Sequence, residues 1–141
     1  MQELDDALTE DSLWALVKSK EAVAQSFVDD RANCREAWIA AGFAVELALK
    51  AVIIRQRRYN QWPSREAAPE LHTHSLRMLV RHAGIDLTAI PLSVRASLRT
   101  TLDWTRGHDY MYARMSRAQA RSMVDAAFGE GGVVQWLKTL S

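Results

Sequence analysis

Four histidines carry the proton chemistry available to this chain near neutral pH: His72, His74, His82 and His108. A histidine can act on a phosphate ester when a guanidinium stands beside it. The imidazole moves a proton while the guanidinium holds the phosphate through paired hydrogen bonds. Arg65 and His72 are separated by six residues, and Arg77 and His82 by four. A five-residue step on a helix turns about 500°, so Arg77 and His82 fall on adjacent faces. His82 is expected to be a cation at a helix C-terminus. Arg106 stands two positions before His108, and Arg99 nine before it. Spacing alone does not choose among these pairs; Tyr110 lies just beyond His108. The competing reading has His108 and Tyr110 packing and capping a junction between helices.

Glu46 and Lys50 are four residues apart in the order that favours an ion pair on a helix. They interrupt the most apolar stretch of the chain, where a carboxylate must find a partner. Arg106, Arg114 or His108 is the expected partner, tying two helices together or orienting a catalytic group. His72-x-His74 offers half of a metal site with Glu70 near it, but no further ligand is spaced to complete it. No metal and no other cofactor is expected. Tyr59 and Trp62 interleave with Arg55, Arg57 and Arg58, a mixture suited to stacking on single-stranded RNA. The same arginines also suit the basic end of a long helix.

Helices must position these groups. Leu13, Leu16, Val17, Val23, Ala24, Phe27 and Val28 recur at helical spacing, with Asp11 or Ser12 as the expected cap. A second helix is predicted over 32–58, with Trp38, Ala41, Val45, Leu49 and Val52 on one stripe. Ile39, Phe43, Leu47 and Ile54 widen that stripe, so this helix should lie at the centre of a bundle. Its surface is apolar enough to suggest a homodimer. Gly42 should allow another helix to approach closely. Residues 59–73, with Pro63 and Pro69, read as a long loop. Thr73 should cap a short helix that buries Leu76, Leu79 and Val80 and ends at Gly84. Pro91 opens another helix, with Leu92, Leu98 and Leu102 inside. Residues 105–115 are irregular. Ser116 then caps a helix through Ala120, Met123, Val124 and Ala127, and a last short helix follows the GEGG run.

With 141 residues, 6 Gly and 3 Pro, the chain fits one all-α domain over 1–141, an up-down bundle of four or five helices. Its net charge of +1 excludes a global basic field, though basic residues cluster locally. Cys34 is the lone cysteine, which excludes an intrachain disulfide and a cysteine zinc cluster. The acidic N-terminus lacks the apolar core of a secretion signal. No uninterrupted apolar run approaches the ~20 residues of a membrane span. A soluble protein of the reducing cytoplasm, with no membrane partner, is expected.

Residues 38–51, WIAAGFAVELALKA, hold Glu46, Leu47, Leu49, Lys50 and Ala51 in an E-L-x-L-K-A pattern. Thr73-His74-Ser75-Leu76 follows a loop, and Ala83-Gly84 closes the next helix. Tyr110-Met111-Tyr112-Ala113-Arg114 precedes an alanine-rich helix, and Gly132-Val133-Val134-Gln135-Trp136-Leu137 lies near the end. Across about 31–138 this resembles the HEPN domains of prokaryotes, in a stand-alone form. The resemblance implies a helical bundle that works as a homodimer. It also implies a toxin–antitoxin or defence-like setting beside a nucleotidyltransferase partner, with RNA or nucleotide as ligand. Nuclease members use R-x4–6-H followed by x-Y, without a metal. Here His108-Asp109-Tyr110 supplies the tail, but Asp103 stands where the arginine belongs. Binding of a partner, RNA or nucleotide, with Tyr110, Arg114, Glu46 and Lys50 as binding residues, is thus expected ahead of catalysis. A metal-independent endoribonuclease using His108 with Arg106 or Arg99 is the alternative. A helical accessory module without a nucleic-acid role is the weaker one.

Overall fold

The computed structural model describes residues 7–104 and 115–141. Every regular element among them is helical: α1 (Glu10–Phe27), α2 (Cys34–Arg57), α3 (Leu76–His82), α4 (Leu92–Leu102), α5 (Arg117–Phe128) and α6 (Val133–Thr139). Short 3₁₀ turns occupy Pro69–Leu71 and Leu87–Ala89. Arg106, His108, Tyr110 and Arg114 lie outside the described residues.

α1 starts earlier than expected because its cap is Thr9, not Asp11 or Ser12. The Thr9 hydroxyl accepts from the Ser12 N–H, and the Ser12 hydroxyl accepts from the Thr9 N–H, a reciprocal box that satisfies two otherwise unpaired donors. Leu13, Val17, Ala24 and Val28 turn inward. Leu16 and Val23 do not; they remain 38% and 37% exposed. α2 carries buried side chains around most of its circumference, including Ala41, Val45, Leu49 and Val52. It packs on α1, α3, α5 and α6, while α4 closes the bundle against α5 and α6. Most of the apolar surface of α2 is thus covered within this chain, while Trp38, Ile39 and Phe43 stay half-buried.

α2 is also long enough to cross a bilayer and contains a stretch with the mean hydropathy, 1.9, of such a helix. Of that stretch, 78% is buried inside the fold, as befits the core helix of a bundle.

The 59–73 connection is packed rather than loose. Trp62, Ala68 and Leu71 enter the core, and the Trp62 N–H donates to the Leu8 carbonyl at 2.7 Å. Ser75, not Thr73, caps α3; its hydroxyl accepts from the Met78 N–H, while Thr73 accepts from Ser75. Gly84 closes that helix at φ +69°, where a side chain would be strained. In α4 the inward phase is Val94, Leu98 and Thr101, and Leu92 is 79% exposed. Ser116 caps α5 with Gln119 as its reciprocal partner, and Ala120, Met123, Val124 and Ala127 are buried as the spacing predicts.

Candidate functional site

Trp38, Gly42, Glu46 and Lys50 recur every four residues, so they share one face of α2. Each receives or supports a side chain from elsewhere. Trp104, immediately after α4, is 1% exposed and lies across Gly42. A Cβ at position 42 would overlap its indole at Cε2, Cδ2 and Nε1. The close approach expected at Gly42 is therefore made by a tryptophan rather than by a helix. Trp38 flanks the same indole, with ring centroids 6.0 Å apart.

One turn further along, Glu46 is 1% exposed. Its Oε2 lies 3.1 Å from Lys50 Nζ and 3.0 Å from His74 Nδ1. A carboxylate can only accept, so the proton of this bond sits on Nδ1. The His74 side chain is 55% exposed, so a solvent-facing ring is held by a buried carboxylate. Neither Glu46 Oε1 nor Trp104 Nε1 has a hydrogen-bond partner among the described residues, although both atoms are buried. Unpaired buried groups of this kind cost about 1–3 kcal/mol each unless something satisfies them. Lys50 also places its ammonium 5.3 Å from the Trp62 ring centre. Trp62 stands near His72, whose Nε2 donates to the Pro63 carbonyl at 2.8 Å.

The expected partners of Glu46 were Arg106, Arg114 or His108; among the described residues it is bound by Lys50 and His74. The structure also separates the two halves of the candidate metal pair, since His72 turns to Pro63 and His74 to Glu46. Among the described residues, no group of three or more metal-ligating side chains gathers. Trp62 is buried and therefore unavailable for stacking on RNA, unlike the half-buried Tyr59. At the basic end of α2, Arg55 approaches Glu10 at 3.7 Å and Arg57 donates to the His82 carbonyl at 3.0 Å.

Arg77 does not pair with His82. It reaches Asp103 at 3.2 Å, on the last residue before Trp104. Both side chains are well exposed, at 64% and 77%, so the pair contributes at most about 1 kcal/mol. Arg99 is exposed on the last turn of α4.

The segment 105–114 is flanked by two residues anchored on α2. Trp104 sits on Gly42, and the Met115 carbonyl accepts from Cys34 Sγ at 3.5 Å. Gly42 and Cys34 are two turns apart, about 12 Å along the helix axis. Trp104 is the site residue that the sequence did not single out, and His74 was marked by its spacing from His72 as a possible metal ligand rather than as the partner of Glu46. The signal for Trp104 was Gly42, whose expected close approach was assigned to a helix rather than to a side chain. No family model, curated protein or solved structure matches this chain.

Proposed function

We propose that this chain is a HEPN-like domain that binds single-stranded RNA and does not cleave it efficiently. The binding surface is centred on the exposed His74 and Arg77, which lie over the side of α2 that carries Glu46 and Lys50. The observation that carries the reading is the ionic cluster on that face: buried Glu46 held by Lys50 and by the exposed imidazole of His74. It lies one turn from Gly42, where Trp104 begins the approach to His108 and Tyr110 in the sequence. The resemblance of 31–138 to HEPN domains supplies the ligand class and a nucleotidyltransferase as partner.

Weak cleavage follows from Asp103. A carboxylate there repels the phosphate that the family's arginine would hold, and it engages Arg77 instead. The test is anisotropy of a labelled single-stranded RNA titrated with the protein at near-physiological salt. A Kd of about 1–100 µM is expected, with the RNA intact afterwards. His108→Ala should leave the RNA equally intact and cell growth unchanged. RNA cut by the wild type but not by His108→Ala would replace this reading with the endoribonuclease one. No binding at all would remove both.

A further inference from the structure

Beside Arg77, a cleft of about 260 Å³ opens between α3 and the end of α4. Its walls are Val80 from α3, Ile85 and Leu87 from the connection to α4, and Leu102 from the last turn of α4. Leu87 is 55% exposed, so one wall is a large aliphatic side chain left in water. Arg77 and Arg81, both exposed, complete the lining. They stand four residues apart and so share one face of α3, with Cβ atoms about 5–6 Å apart. Among the described residues, no carboxylate lines the cleft.

An apolar slot edged by two guanidiniums fits a flat group with apolar faces that is flanked by anions. In single-stranded RNA that group is a base, and the anions are the phosphates on either side of it. The volume is below the roughly 300–1,000 Å³ of clefts that take drug-sized ligands, so it suits one ring system rather than a longer chain. We infer that the cleft receives one unstacked base of the bound strand, with Arg77 and Arg81 on the adjoining phosphates. This rests on the RNA-binding reading and extends it from His74 along α3. Apolar side chains and guanidinium planes are the groups that hold bases taken out of a stack. Arg77 turns to a phosphate at little cost, because its pair with Asp103 is exposed on both sides. The apolar walls carry no hydrogen-bonding group, so the slot favours the presence of a base over its identity.

The experiment compares two labelled strands of equal length, a single-stranded RNA and its abasic ribose-phosphate counterpart. The wild type should bind the intact strand roughly tenfold more tightly, the effect of one stacked base. Leu87→Ala trims an exposed wall without touching charge or core. It should shrink that ratio at least about twofold while leaving affinity for the abasic strand and the unfolding midpoint unchanged. Arg81→Gln should instead weaken both strands by one common factor, about threefold, and keep the ratio. Methyl NMR reads the same point without a variant. The methyl signals of Val80, Ile85, Leu87 and Leu102 should move upfield with the intact strand, under the ring current of the base, and stay in place with the abasic one. A wild type that binds both strands alike, a Leu87→Ala variant that keeps the full ratio, or unmoved methyl signals overturns the inference while leaving RNA binding in place. Absence of binding to either strand removes the functional reading itself.

Discussion

The indole of Trp104 occupies the space that a side chain at Gly42 would fill. The contact joins the end of α4 to the middle of α2 and sets where the chain stands as it enters the 105–114 segment. Gly42→Ala gains up to about 1 kcal/mol of helix propensity but must displace a ring that is 1% exposed. Overpacking of this kind costs about 1–3 kcal/mol, so a net loss is expected. Urea unfolding should show a lower midpoint with an unchanged slope. A midpoint at or above the wild-type value would mean that the indole moves aside freely.

The Glu46–Lys50 pair predicts opposite outcomes for single and double substitution. Lys50→Met leaves a buried carboxylate whose remaining partner among the described residues is His74, and should destabilise by about 2–4 kcal/mol. Adding Glu46→Leu to the same protein should restore most of that loss, because two apolar side chains then fill the gap. Thermal or urea unfolding of the two variants measures the difference. Equal stability of single and double variants would show that the carboxylate is solvated after all.

At two corners the acid response is set by local hydrogen bonds. Asp30 accepts from the Asn33 side chain and the Ala32 N–H, which hold its carboxyl below the ordinary 3.8. Asp86 is lowered likewise by the Thr88 hydroxyl and then by the Thr88 N–H. A carboxyl lowered by folding contributes stability that is present above its ordinary value and lost as pH falls through the folded one. Both corners should therefore persist at pH 3.8 and loosen only below it. Carboxyl carbon NMR titrations should give midpoints under 3.8 for both residues; midpoints at or above that value would contradict the turns as described.

Asp103→Arg places an arginine five positions before His108, with four residues between them, the spacing that nuclease members of the resembled family use. Asp103 is 77% exposed and loses only a surface pair with Arg77, so the substitution should be tolerated within about 1 kcal/mol. It should produce RNA cleavage that the wild type lacks, and Asp103→Arg/His108→Ala should abolish it again. A folded Asp103→Arg protein without cleavage would separate this chain from the nuclease arrangement altogether.

Local signals were legible in the sequence, and partners distant along the chain were not. Gly84 and Ser116 were readable as helix ends because a stop or a cap depends on neighbours within one turn. The inward phase of α5 was equally plain. In α4 it was misjudged at Leu92, since a helix opening at a proline allows a leucine to sit in its exposed first turn. Trp62 resembled an RNA-stacking aromatic because basic residues surround it in sequence, yet its ring is buried and one face meets Lys50. The need of Glu46 for a partner was evident from its apolar surroundings. That the partner would be His74 was not, because the two are 28 residues apart and the connection between them follows no simple period.

The central claim is that RNA lies over the exposed His74 ring that Glu46 holds. Titration of unlabelled single-stranded RNA into the ¹⁵N-labelled protein tests it directly. The largest amide and imidazole shifts are expected at Gly42, Glu46, Lys50, His74 and Arg77, with little change along the outer side of α1. Shifts concentrated at Trp14, Lys18 and Lys138 on the α1–α6 side, or no shifts at all, would contradict it.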